Sequence, residues 1–97
     1  MDLSPQAELF VSAVSTMAET PGAVQQRINR AYLASLSKVD PAQVTEELQS
    51  RVAALVTRLG ATPMTRTMLT DDEGAAVAKE TVALAFDLCR HDWTAAT

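Results

Sequence analysis

The chain is short of the residues around which many enzymes and membrane proteins are built. It has one cysteine, one histidine and no uncharged run longer than the ten residues from Leu9 to Ala18. Cys89 has no partner for a disulfide within the chain, which suits a reducing cytoplasm. His91 is the single candidate base for that thiol, yet residues two apart on a helix point about 200° from one another, so the two do not pair locally. An uncharged run of that length falls far short of the ~20 residues a membrane-spanning helix needs. No basic segment precedes an apolar run after Met1-Asp2-Leu3-Ser4-Pro5, so no secretory signal is expected. The net charge of −4, from 12 acidic and 8 basic residues, disfavours nucleic acid and anionic membranes as general partners. No metal-ligand spacing, phosphate-cradling glycine loop or nucleic-acid motif is present, and neither a cofactor nor an enzymatic activity is expected.

What the chain does have is helix punctuation. Ser4-Pro5, Thr20-Pro21 and Asp40-Pro41 each place a capping oxygen before a proline, whose missing N–H costs nothing in a first helical turn. Asp40 with Gln43 and Thr70 with Glu73 have the spacing of a capping box. These signals predict helices at about 5 to 19, 21 to 38, 41 to 59 and 71 to 92, with Gly60 ending the third and residues 61 to 69 forming the one long connection. The expectation is a single domain, 1–97, with an all-α fold: a four-helix bundle, mainly antiparallel and up-and-down because the first two connections are short.

The helices differ in how much apolar surface they carry. The third has a narrow stripe of Val44, Leu48, Val52, Leu55 and Leu59, suited to one buried face. On the first, Ala7, Leu9, Phe10, Val11, Ala13, Val14, Met17 and Ala18 spread over about 200°, and on the fourth Val77, Ala78, Val82, Leu84, Ala85, Phe86, Leu88 and Cys89 do likewise. Arcs that wide face more than one neighbour, and the expectation is a homodimer that buries parts of the first and fourth helices.

Three groups of residues are candidates for interaction. Arg27, Arg30 and Lys38 give the second helix a positive face, since no acidic residue lies between Pro21 and Val39; the rest of the chain sums to −7, so a nucleic-acid regulator is the alternative rather than the leading expectation. Met64 and Met68, in the long connection, suit either an adaptable docking loop or a fold-back onto the bundle. Trp93, read as just beyond the fourth helix, either locks the terminus to the core or anchors an interface. Glu73, Glu80, Asp87 and His91 share one stripe of the fourth helix, which reads as a solvated acidic face rather than as a metal site. Cys89 falls in the apolar arc and reads as a small core residue. Tyr32, at the margin of its helix's apolar stripe, reads as core with its hydroxyl at the surface.

Three segments resemble a group of small bacterial proteins of about this length: Arg27-Ile28-Asn29-Arg30-Ala31-Tyr32 through Leu36, then Asp40-Pro41-Ala42-Gln43-Val44-Thr45-Glu46-Glu47-Leu48 on to Leu55 and Leu59, then Leu69-Thr70-Asp71-Asp72-Glu73-Gly74-Ala75. The chain departs from that group in having Val44-Thr45 where a Leu-Pro step is usual. The resemblance implies a stand-alone bacterial helical protein in the cytoplasm and supplies no catalytic residue. The functional expectation is therefore a non-enzymatic protein–protein interaction or accessory protein, homodimeric and with a further protein partner, without a membrane role.

Overall fold

Every element of the computed structural model, which describes residues 3–60 and 68–96, is helical. Helix α1 spans Pro5–Glu19, α2 Val24–Ala34, α3 Glu46–Gly60 and α4 Asp71–Ala96, with short 3-10 turns at Leu36–Lys38 and Pro41–Gln43. The radius of gyration is 12.9 Å, close to the ~12.5 Å of a compact chain of this length. The all-α expectation holds. No helix among the described residues is long and apolar enough to cross a membrane.

The first and last helices start where the caps place them. Ser4 Oγ accepts the Ala7 N–H at 3.3 Å, with Pro5 in the first turn of α1. Thr70 Oγ1 accepts the Glu73 N–H while Glu73 Oε1 accepts the Thr70 N–H, both at 3.1 Å, a reciprocal capping box that opens α4. That exchange, with the Thr70 backbone N–H as the main cause, its side chain next and the charge of Arg58 last, holds the Glu73 carboxyl below its ordinary value.

The middle of the chain corrects the predicted boundaries. Thr20 closes α1 instead of opening α2: its backbone N–H and its hydroxyl both donate to the Thr16 carbonyl, at 3.0 and 2.6 Å. Gly22 then takes φ +107°, which carries the backbone out of any helix begun at Pro21, so α2 starts only at Val24. At its far end Ser35, at φ −138°, breaks the helix and buries a hydroxyl that donates to Ser12 Oγ of α1 at 2.9 Å. Lys38 therefore belongs to a 3-10 turn, not to α2. Asp40 caps only the 3-10 turn at Pro41, accepting the Ala42 N–H at 3.0 Å. Val44 is extended at φ −94°, ψ 152°, and its buried side chain reaches the core only by leaving helical geometry, so α3 begins at Glu46 rather than at residue 41. α4 runs on through residue 96, which places Trp93 inside the helix.

α4 is the element on which the rest is laid, since it packs against α1, α2 and α3, while α1 and α2 also pack together. Its buried Val77, Leu84 and Leu88 meet Phe10 and Met17 of α1, Ile28 of α2 and Val52, Leu55 and Leu59 of α3 in one core. Thr81, buried among them, satisfies its hydroxyl by donating to the Val77 carbonyl at 2.8 Å. Polar ties fix the ends: the Ser4 N–H donates to Asp92 Oδ2 at 2.9 Å, and Gln25 Nε2 donates to the Leu69 carbonyl at 2.8 Å and to Asp71 Oδ1 at 2.9 Å. α2 approaches α4 closely at Gly74, where an added Cβ would lie 2.7 Å from Val24 Cγ1.

Two outcomes test this packing. Alanine normally improves on glycine inside a helix by about 1 kcal/mol, but Val24 is stiff at χ1 and has little room to yield. Gly74→Ala should therefore lower stability by about 1 kcal/mol, or roughly 4–8 °C in Tm, and should become stabilising in a Val24→Ala background. The lowered Glu73 carboxyl contributes stability that is complete above its ordinary value of 4.5 and is lost as pH falls through its folded value. Glu73→Gln keeps the capping geometry without the titration, so thermal melts should show wild type ahead at neutral pH and the gap closing in acid.

Candidate functional site

Four of the six large apolar side chains that the core leaves exposed among the described residues gather in one place. α1 and α4 enclose a groove of about 600 Å³ lined by Val11, Val14, Val82, Phe86, Cys89 and Trp93, with Ser15 and Arg90 also contributing. Phe86 is 72% exposed, Trp93 64%, Val82 45% and Val11 42%. Isolated exposed apolar residues are ordinary; a contiguous set with two aromatic rings is not. On α4 at 100° per residue, Val82, Trp93 and Phe86 fall within about 40° of one another, roughly opposite the buried Leu84. The wide apolar arc of this helix thus splits into a buried part and an outward part.

Cys89 lies half-buried on the floor of the groove. Burial, and after it the negative charge of Asp92, pushes its thiol above the ordinary value, which leaves it protonated and a poor nucleophile. His91 Nδ1 lies 3.9 Å from Asp92 Oδ1, and no group of three or more His, Cys, Asp or Glu among the described residues could hold a metal ion.

The acidic stripe of α4 stays partly solvated, with the Glu80 side chain 41% and the Glu73 side chain 50% exposed. It faces α3 and is an ion-pair seam. Arg51 Nε lies 3.0 Å from Glu80 Oε1, its Nη1 lies 2.9 Å from Asp87 Oδ2, and Arg58 Nη2 lies 3.5 Å from Glu73 Oε2. Asp87 also receives Arg90 Nη2 on its other oxygen at 2.7 Å. Arg51 drew no attention in the sequence, although its seven-residue spacing to Arg58 matches the seven between Glu73, Glu80 and Asp87, a signal that could have paired the two helices.

The remaining candidates are scattered. Arg30 is exposed on α2 beside a shallow depression with Pro21, Leu33 and Ala34. Arg27 is half-buried, its Nε without a hydrogen-bond partner among the described residues. Lys38 is exposed on the following turn. Tyr32 is half-buried, with its hydroxyl against Gly60 at the end of α3. Met68 is 69% exposed just before α4, and Met64 lies outside the described residues. Of the sequence candidates among the described residues, Trp93 lies in the groove, as does Cys89.

Comparison with protein-family models, with curated proteins and with solved structures found no match.

The seam gives a direct test. Arg51→Gln removes two partly exposed ion pairs and leaves Glu80 and Asp87, two turns apart on α4, without the cation they share, so stability should fall by about 1 kcal/mol at low salt. The loss should shrink in 1 M salt, where exposed charges are screened within about 3 Å; an equal loss at both salt concentrations would assign Arg51 a packing role instead.

Proposed function

We propose that this chain is a non-enzymatic interaction protein that works as a homodimer, with the α1–α4 groove as its subunit interface. The observation that carries this reading is the outward set of Val11, Val82, Phe86 and Trp93, which is larger than the packing of one chain requires. Aromatic residues of this kind are the usual anchors of an interface. Against a catalytic role stand the protonated Cys89 thiol and the engagement of Glu80 and Asp87 by arginine.

On the same reading the helices run up and down, each antiparallel to the next. In support, Ser4 at the start of α1 meets Asp92 late in α4, and the later Arg58 of α3 meets the earlier Glu73 of α4 while Arg51 meets Asp87. α1 and α4 then lie side by side as a two-helix face, and a two-fold axis through it forms a four-helix interface. The lone thiol fits a reducing compartment, and a cytoplasmic, bacterial setting is part of the proposal.

Light scattering over a concentration series tests it. The wild-type chain should give twice its 10.4 kDa mass, and Phe86→Glu, at an exposed position, should give a folded monomer. A wild-type mass of 10.4 kDa at several hundred micromolar would overturn the dimer.

A further inference from the structure

The groove has charged margins, and they are of opposite sign. On α4, Lys79, Val82, Phe86, Arg90 and Trp93 fall within an arc of about 80°, so the outward apolar face of that helix carries a lysine near one end and an arginine near the other. On α1, Glu8, Val11, Ser15 and Glu19 also fall within about 80°, and a furrow of about 410 Å³ along that face is lined by both glutamates together with Val11 and Ser15. Val11 and Ser15 line the α1–α4 groove as well, so furrow and groove form one continuous surface with an acidic edge on α1 and a basic edge on α4.

The spacing of the charges is the same on both helices. Glu8 and Glu19 are eleven residues apart, and so are Lys79 and Arg90. At 1.5 Å per residue each pair spans about 16 Å, with Val11 and Ser15 between the charges on α1 and Val82 and Phe86 between them on α4. All four residues are exposed, and among the described residues Glu8 and Lys79 make no ion pair.

Resting on the dimer proposed above, we infer that two copies of this chain meet with α1 of each lying antiparallel on α4 of the other, in a register set by Glu8 of one chain facing Arg90 of its partner and Glu19 facing Lys79. A two-fold axis makes this match twice. A two-fold axis set across the helices instead would put α4 on α4 and oppose like charges, which penalises that alternative packing of the same apolar face. The second copy is the occupant because the groove's own chain carries the complementary edge at the matching spacing.

The test is a charge exchange read by equilibrium sedimentation at low salt, with circular dichroism confirming that each variant is folded. Lys79→Glu with Arg90→Glu should weaken self-association by about tenfold or more, and so should Glu8→Lys with Glu19→Lys. An equimolar mixture of the two should form a heterodimer within about threefold of wild-type affinity. A chain carrying all four reversals should self-associate as wild type does. Because Arg90 also binds Asp87, Lys79→Glu alone mixed with Glu19→Lys alone, the residue facing it in this register, repeats the test without disturbing that ion pair. Wild-type dimerisation with no rescue in either mixture would overturn this register and leave the dimer standing. A monomeric wild type would overturn both.

Discussion

The reciprocal hydrogen bonds between Thr70 and Glu73 fix the start of the helix against which the other three α-helices pack. α4 has 26 residues, about 39 Å at the ordinary rise, against a longest molecular dimension of 41 Å. Starting that helix one residue later in register would turn every side chain by about 100° relative to its neighbours. Glu80 and Asp87 would leave Arg51, Gly74 would leave Val24, and the buried Leu84 and Leu88 would leave the core. The ties at its two ends, Gln25 to Asp71 and Ser4 to Asp92, hold α2 and α1 to that one phase.

A long helix with three neighbours also has a side that none of them reaches. One sector of α4 is taken by α3 through the arginine seam, the next by the shared core, and the next by α1 above Ala85 and Cys89. What is left carries Val82, Phe86 and Trp93. α3, with its single buried stripe, adds no cover there, because the seam fixes it on the acidic flank. The same charges that dock α3 thus leave the apolar sector open.

The class of fold and the two ends of the chain were legible in the sequence because their signals are local. A Ser-Pro start and a Thr-x-x-Glu box are satisfied within one turn, whatever the rest of the chain does. The middle was less legible because tertiary demands decided it. Thr20 had two available roles, capping a following helix or closing the preceding one, and the positive φ of Gly22 selected the second. Asp40-Pro41 is a sound helix start, but Val44 must reach the core, which truncates that start to one 3-10 turn. The width of the apolar arcs on the first and last helices pointed to the groove; which part of each arc faces outward depends on where α1 and α3 sit. Arg51 was missed because its meaning lies in the spacing of acids some thirty residues away.

The distribution of charge on α4 separates two kinds of surface that its overall acidity conceals. Glu73, Glu80 and Asp87 are spent on the seam with α3, whereas Lys79 and Arg90 border the apolar sector. A chain of net charge −4 gains little from a general polyanion, since attraction at two cations works against repulsion from the whole. A partner that meets those cations with carboxylates at matching intervals, and the rings of Phe86 and Trp93 with small side chains between, offsets that repulsion locally even where it is itself acidic. The outer face of α1 has this composition, with Val11 and Ser15 between Glu8 and Glu19. Its small side chains leave room for rings that its own chain leaves exposed, so shape as well as charge supports the proposed pairing.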